Sequence, residues 1–138
     1  MSARILQGKE FAQQFRADAG KRVEALREKY GITPGLAVII VGSNPASQVY
    51  VRNKHKSCEE LGIYSVVVEM PENTTKNDLL AKIDELNFDK RINGILVQLP
   101  LPKQIAADEA EILNRIDPLK DVDGFHPENV GRLVTGEE

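Results

Sequence analysis

Hydrophobic positions along this chain alternate between a helical spacing and unbroken apolar runs. Between residues 9 and 30, apolar side chains recur every three or four positions, which predicts a helix that ends at Gly31. Residues 36–41 are apolar without interruption, which is typical of a parallel strand covered on both faces. The apolar positions of the first predicted helix are Phe11, Phe15, Ala19, Val23, Leu26 and Tyr30.

The same patterns continue to residue 116 and predict five more elements. A helix is expected to begin near Pro45, since proline is tolerated at a first helical position, and to end at Gly62. Thr74-Thr75 followed by Asp78 resembles a capping box, which opens a further helix. The remaining elements are strands over 64–69 and 92–97 and a short helix over 108–116.

This alternation of helices and apolar strands predicts the fold class. We expect an α/β fold, a three-layer αβα domain with a mostly parallel sheet, helices on both faces and the first strand in a central position. Residues 1–122 are assigned to this domain. Beyond them glycines and prolines interrupt any regular pattern, so residues 123–138 are predicted to be a loop or linker.

A small polar turn follows the first predicted strand. The turn begins at Gly42, and Ser43 or Asn44 can cap the helix that follows. In open α/β sheets, ligands bind at the carboxyl ends of the strands, so this turn is a candidate cleft wall. The other segments at that edge are 70–75 and 98–102. An ordinary strand-to-helix turn is the alternative.

Lys54 is an unusual residue on the helical wheel of the second predicted helix. It falls in a sector of small and apolar side chains, with Tyr50 one turn earlier. A lysine partly removed from water is a candidate proton donor or acceptor, and a tyrosine ring can stack on a flat heteroaromatic. Alternatively, Lys54 extends to water along Tyr50, and Tyr50 only packs in the core. The sector comprises Ala46, Tyr50, Lys54, Ser57, Cys58 and Leu61.

Two further polar features lie later in the chain. Gln98 follows a largely apolar strand, and its side-chain amide could bind an amide-like ring edge or orient a lysine. The alternative is that the amide only hydrogen-bonds to the backbone of the loop. Residues 120–124 carry alternating aspartates near His126 but lack the calcium-loop spacing, so we expect no metal. We expect one aspartate to cap a turn, and binding of a guanidine-like ring edge is the functional alternative.

Composition narrows the class of protein. The 138 residues are enough for one hydrophobic core, and the formal charge of −3 provides no cationic field for nucleic acid. The single Cys58 excludes an internal disulfide. No long apolar run and no secretory leader are present, so we expect a cytoplasmic protein with no membrane partner. Neither GxGxxG nor GxxxxGK[ST] occurs, so no dinucleotide or P-loop fingerprint is present.

Four segments give the chain a resemblance to a known family. They are VGSNPAS at 41–47, YVRNK at 50–54, GILVQLPLP at 94–102 and KDVDGFHP at 120–127. In these segments the chain resembles the amino-terminal domain of bifunctional methylenetetrahydrofolate dehydrogenase/cyclohydrolase. The resemblance implies NADP-dependent oxidation of 5,10-methylenetetrahydrofolate to the 5,10-methenyl form and hydrolysis of that product to 10-formyltetrahydrofolate. Both reactions would use one folate site and serve one-carbon metabolism and purine biosynthesis.

The resemblance also implies a role for individual residues. Lys54 would be the catalytic lysine, Gln98 would orient it, and Tyr50 would stack on the folate as the third member of the catalytic set. Asp123 would bind the pterin edge. The implied substrate-binding residues are Tyr50, Val51, Arg52, Asn53, Lys54, Val97, Gln98, Leu99, Pro100 and Asp123.

One departure from the family concerns the nicotinamide cofactor. In the family a Rossmann-type domain that binds NADP follows the folate domain, and this chain stops at Glu138, where that domain should begin. We therefore expect the folate half, as a fragment or a natural truncation, without cofactor-binding or metal-binding residues; the full-length enzyme would be a homodimer. The alternatives are a stand-alone folate-binding module without turnover and an unrelated doubly wound domain that binds a phosphorylated ligand at residues 43–47.

Overall fold

A computed structural model describes residues 7–137 of the chain. Residues 1–6 of the predicted domain and residue 138 of the predicted linker lie outside the described residues. A single 3-10 turn, Ala106–Asp108, precedes the fourth helix. The elements are α1 (Gly8–Tyr30), β1 (Gly35–Val41), α2 (Pro45–Glu60), β2 (Tyr64–Met70), α3 (Lys76–Phe88), β3 (Gly94–Val97), α4 (Glu109–Leu113) and α5 (Pro127–Thr135).

The three strands form one parallel sheet in the order β2-β1-β3. Gly35 pairs with Tyr64 on one side of β1, and Leu36 pairs with Gly94 on the other. The predicted central position of the first strand is confirmed. An additional parallel bridge joins Ile95 of β3 to Asp121, so the segment after α4 runs along the outer edge of β3.

Both faces of the sheet are covered, which confirms the predicted three-layer α/β architecture. One face packs against α3 and α4 through fully buried side chains, among them Ile39 of β1 and Ile83 of α3. The other face packs against α2, where Val51 joins Val38 and Leu96. Each large aliphatic side chain buried in this way stabilises the fold by about 1.5–3 kcal/mol.

Local signals in the sequence account for where the helices begin and end. The Asn44 side chain accepts a hydrogen bond from Ser47 N at 3.1 Å and caps α2, as predicted. Thr75 caps α3 by accepting from Asp78 N at 3.2 Å. Gly31 ends α1 with φ +66°, a left-handed conformation that glycine adopts without a steric penalty.

The apolar stripe of α1 predicted the helix correctly but not its burial. Of the residues in α1, only Val23 is buried, while Phe15 is 75% exposed and Tyr30 is 59% exposed. The helix contacts the domain through its second half, where Arg27 donates to Gly62 O at 2.9 Å. A stripe identifies which face favours burial, but a neighbour must be present to bury it.

The prediction of a loop over residues 123–138 is wrong for Pro127–Thr135, which forms α5. Proline at a first helical position costs little, because the N–H that it lacks has no helical partner there. His126 caps the helix, with Nδ1 accepting from Glu128 N at 3.2 Å, and Gly136 at φ +74° ends it. Gly131 inside α5 lowers helix propensity without breaking the helix. The prolines and glycines of this segment therefore include one signal for the start of a helix, Pro127, and one for its end, Gly136.

Candidate active site

Lys54 and Gln98 meet at the mouth of the sheet, although they are 44 positions apart in sequence. Lys54 lies on α2, and Gln98 is the first residue after β3. Lys54 Nζ donates to Gln98 Oε1 at 3.1 Å, and the contact is partly buried. Burial of Val51 on the sheet and the Asn44 cap set the rotation of α2 that makes this contact possible.

Gln98 is itself held in one orientation. Its Nε2 donates to Leu99 O at 2.9 Å, so its amide oxygen points to Lys54. The same carbonyl accepts a longer hydrogen bond, 3.4 Å, from Ser47 Oγ. Ser47 is only 4% exposed. Sequence reasoning did not single out Ser47; the available signal is a small polar residue one turn before Val51 on the buried face of α2.

Tyr50 precedes Lys54 by one helical turn and is 62% exposed. The helical wheel had placed both residues in the buried sector, and this is wrong for Tyr50. The buried residues of α2 are Ser47, Val51 and Cys58. Val51 packs on the sheet, and Tyr50, about 100° away on the helix, therefore faces outward. The ring is open to a ligand beside Lys54.

The other predicted substrate-binding residues divide into two groups. Val51 and Val97 are 4% and 2% exposed, so their side chains belong to the core. Arg52, Asn53 and Pro100 are exposed, and Leu99 is half-buried.

Arg52 lies on a different side of α2 from the Lys54–Gln98 contact. With His55 and Glu69 it lines a groove of about 500 Å³ between α2 and β2, whose lining includes neither Lys54 nor Gln98. The structure therefore separates Arg52 from the lysine–glutamine pair.

Asp123 belongs to the segment that runs along the outer edge of β3. It lies two residues beyond the Ile95–Asp121 bridge, in the direction of the carboxyl end of the strand. Its side chain is exposed and makes no hydrogen bond within residues 7–137. The carboxylate is therefore available to a ligand.

Asp121 is the aspartate that closes the turn. Its carboxylate accepts hydrogen bonds from Gly124 N at 3.0 Å, His126 N at 2.8 Å and Asn129 Nδ2 at 3.0 Å. Burial raises the pKa of this carboxyl, but the donors together outweigh burial and hold the pKa below its usual value. Among the described residues, no group of three or more His, Cys, Asp or Glu side chains could hold a metal. The predicted turn-capping role is confirmed for Asp121.

The turn after β1 does not fit the pyrophosphate of a nicotinamide dinucleotide. The strand-to-helix turn after β1 contains one glycine, Gly42 at φ +82°, and the Glu72 carboxylate lies against it. A Cβ built on Gly42 would lie 1.9 Å from Glu72 Oε2. A pyrophosphate at this turn would meet that negative charge instead of the glycine-rich amides that bind it elsewhere.

Comparison with known proteins identifies the family. A model described as tetrahydrofolate dehydrogenase/cyclohydrolase, catalytic domain, matches residues 6–123. The chain belongs to this family. The resemblance found in the sequence is thereby confirmed.

Relatives and solved structures agree with this assignment. Bifunctional protein FolD of Halalkalibacterium halodurans is 56% identical over all 138 residues, which are 48% of that protein. The crystal structure of bifunctional FolD, methylenetetrahydrofolate dehydrogenase/cyclohydrolase, from Campylobacter jejuni has a TM-score of 0.90 at 50% identity, covering 95% of this chain and 45% of that one.

A Trypanosoma brucei methylenetetrahydrofolate dehydrogenase-cyclohydrolase, solved with NADP and an inhibitor, has a TM-score of 0.90 at 37% identity, covering 96% of this chain and 45% of that one. The chain thus spans about half the length of the curated relatives it matches. Within residues 7–137, no helix is long and apolar enough to cross a membrane.

Proposed function

We propose that this chain is the folate-binding, proton-transferring part of a methylenetetrahydrofolate dehydrogenase/cyclohydrolase. The observation that carries the proposal is the hydrogen bond of 3.1 Å from Lys54 Nζ to Gln98 Oε1, at the strand ends of a chain that belongs to this family. A polar pair at that edge, with an open aromatic ring beside it, suits a flat heteroaromatic substrate.

In the proposed hydrolysis of 5,10-methenyltetrahydrofolate, Lys54 transfers a proton. Water adds to the positively charged methenyl carbon and gives up one proton, and a neutral Lys54 amine accepts it. The carbinol intermediate then breaks its bond to one ring nitrogen, N5, as the carbinol proton passes to that nitrogen. The product is 10-formyltetrahydrofolate, with one proton released overall. General base catalysis of this kind contributes about 10²–10⁴-fold to a rate.

Gln98 supports this role by its fixed geometry. Its amide oxygen accepts one N–H of Lys54, while its amide nitrogen is anchored on Leu99 O at 2.9 Å. Rotating the amide would give up both contacts and set two donors face to face, so the oxygen stays directed at the lysine. We therefore assign two roles to Gln98: it orients the Lys54 side chain, and it influences the protonation of the lysine amine.

Tyr50 and Asp123 complete the proposed substrate site. In this proposal the exposed ring of Tyr50 stacks on the folate one turn from Lys54. The Asp123 carboxylate, which makes no hydrogen bond within residues 7–137, accepts hydrogen bonds from the pterin edge. Asn53, Leu99 and Pro100 are exposed or half-buried around these groups. Arg52 lies on a different side of α2 from Lys54, so it would contact only a part of the ligand that extends past the side carrying Lys54. Val51 and Val97 would contact the substrate through main-chain atoms alone, because their side chains are buried.

The oxidative reaction needs residues outside residues 7–137. We assign NADP mainly to a second, Rossmann-type domain, and residues 123–138, including α5, to the connection with it. The support is that the relatives are about twice as long and that the similar Trypanosoma brucei enzyme was solved with NADP. The same proposal makes the whole enzyme a cytoplasmic homodimer of one-carbon metabolism that supplies purine biosynthesis.

Calorimetry and turnover on the purified chain test the proposal together. We expect tetrahydrofolate to bind, inorganic phosphate not to bind, and methenyltetrahydrofolate to hydrolyse faster than in buffer. Binding without turnover would favour a stand-alone folate-binding module, which is the second candidate because the turn after β1 does not fit a pyrophosphate. Binding of phosphate and of no reduced folate would refute both and favour a phosphate site at residues 43–47.

A further inference from the structure

Lys120 directs its ammonium at the carboxyl end of α3. Its Nζ donates to Leu86 O at 3.0 Å, Asn87 O at 2.7 Å and Asp89 O at 3.0 Å. The last carbonyls of a helix lack helical partners and carry the negative end of its dipole, so they favour a cation. An ammonium group has three N–H donors, and all three of Lys120 are accounted for by these contacts.

The main chain of Lys120 is held against β3 at the same time. Ile95 N donates to Lys120 O at 2.7 Å, next to the parallel bridge between Ile95 and Asp121. The following side chain, Val122, covers Gly94 so closely that a Cβ there would lie 2.5 Å from Val122 Cγ1. Lys120 therefore joins the segment to α3 through its side chain and to β3 through its main chain.

The turn that follows is closed around Asp121. Its carboxylate holds the main chain at Gly124 and His126, and Asn129 Nδ2 bridges that carboxylate and Pro118 O, at 3.0 Å and 2.9 Å. Asp123 lies within this closed turn, and its carboxylate has no hydrogen-bond partner in the part of the chain that the structure describes. Its position is thus set by contacts made by other residues.

We propose that Lys120 is a positioning residue for the candidate folate site, since it fixes the start of the closed turn against α3 and β3 and so presents Asp123 at the end of the sheet. The inference rests on the proposed function, which gives Asp123 its ligand. Lys54 and Gln98 are held by separate contacts, to each other and to Leu99. Loss of Lys120 therefore weakens binding of the substrate more than it slows proton transfer.

A first experiment needs no folate. Lys120→Met keeps most of the side-chain length and removes the ammonium. Lys82→Met is the matched control, because Lys82 also lies on α3 but its ammonium contacts only the Glu85 carboxylate of the same helix. Amide hydrogen exchange by NMR is expected to accelerate at Gly124 and His126 in Lys120→Met and to stay unchanged in the control. Unchanged exchange at both amides overturns the inference.

The second experiment measures cyclohydrolase kinetics. In Lys120→Met, KM is expected to rise about tenfold, about the loss of one hydrogen bond to the Asp123 carboxylate, with kcat within about twofold of wild type. A merely structural residue would reduce the folded fraction and leave the KM of the folded protein unchanged. If Lys120→Met does not fold, Asp121→Asn, which keeps the side-chain size but weakens the turn, must give the same rise in KM.

A double-mutant cycle with Asp123→Ala separates the two proposals. If Lys120 acts through Asp123, adding Lys120→Met to Asp123→Ala raises KM no further. A full additional rise refutes the inference and leaves the proposed function intact. If Asp123→Ala itself leaves KM unchanged, the proposed role of Asp123 fails, and the positioning role fails with it.

Discussion

Replacing Gln98 tests whether Lys54 must lose its proton to act. Gln98→Glu keeps the size of the side chain and puts a carboxylate oxygen where Oε1 now accepts from Lys54 Nζ. Gln98→Met keeps the length and removes every polar contact. Both variants lose the donor to Leu99 O, so that carbonyl keeps only the contact of 3.4 Å from Ser47 Oγ. The two variants differ chiefly in the charge beside the lysine.

The distance to Lys54 sets the size of the effect. A full negative charge 3.1 Å from Nζ favours the ammonium by about 1.3 kcal/mol even at the dielectric constant of bulk water, a bias of about tenfold. Partial burial of the contact strengthens this interaction, whereas sharing of the charge between two carboxylate oxygens and screening by salt weaken it. The carboxylate in Gln98→Glu therefore disfavours the neutral amine that the proposed hydrolysis uses by about tenfold relative to Gln98→Met.

The assay is the hydrolysis of methenyltetrahydrofolate as a function of pH. We expect kcat at neutral pH to be lowest in Gln98→Glu and to recover in this variant as pH rises, because the lysine then loses its proton. Gln98→Met, which lacks the carboxylate, should show the smaller loss at neutral pH. Wild-type kcat in both variants, or a Gln98→Glu enzyme as active as Gln98→Met at neutral pH, would refute the proton-transfer reasoning.

Three further predictions concern binding and stability. Tyr50→Phe should bind tetrahydrofolate within about twofold of wild type, whereas Tyr50→Ala should lose about 3–10-fold in calorimetric affinity, because stacking depends on the ring; equal losses would exclude stacking. Hydrogen bonds from the Arg91 side chain hold the pKa of Asp89 at about 2. The ionised Asp89 carboxylate therefore stabilises the fold fully at pH values above about 4, the pKa of an aspartate in the unfolded chain, and this stabilisation is lost as pH falls through about 2. Asp89→Asn should therefore destabilise the protein in urea at pH 7 but not near pH 2, and an equal effect at both pH values would contradict the assignment. Ile83→Ala should cost about 2–5 kcal/mol in urea unfolding, since the side chain is 0% exposed, and a cost below about 1 kcal/mol would contradict the packing.

The order of helices and strands could be predicted because each element carries a local signal. The uninterrupted run in β1 indicated a strand covered on both faces, and β1 is the central strand. Asn44 and Gly31 indicated the ends of helices that the structure confirms. The burial of α1 could not be predicted, because an apolar stripe does not specify which neighbours are present.

The residue pattern predicted the place of Gln98 but not its contact with Lys54. Gln98 could be assigned to the correct edge from the pattern of strands and Lys54 to the helix after the first strand, whereas the pairing of the two was implied only by the resemblance. Their separation of 3.1 Å depends on the rotation of α2, which Val51 sets by packing on the sheet, and the helical wheel placed Tyr50 in the wrong sector for this reason. The sequence pattern does not predict α5, because Pro127 and Gly131 interrupt it, although a proline at the first helical position favours a helix.

Contacts between distant segments had no sequence signal of their own. Ser47 reaches Leu99 O, and Lys120 reaches three carbonyls at the end of α3, across separations of 52 and 31–34 residues. Nothing in the local pattern distinguishes a lysine that caps a helix in this way from a solvated one.

The most direct test of the central claim compares wild type with Lys54→Met in cyclohydrolase turnover, with tetrahydrofolate binding measured in parallel. The account predicts that kcat falls by about 100-fold or more while affinity stays within about threefold, because the lysine transfers a proton and the ring is bound by other groups. Full turnover in Lys54→Met would contradict the account.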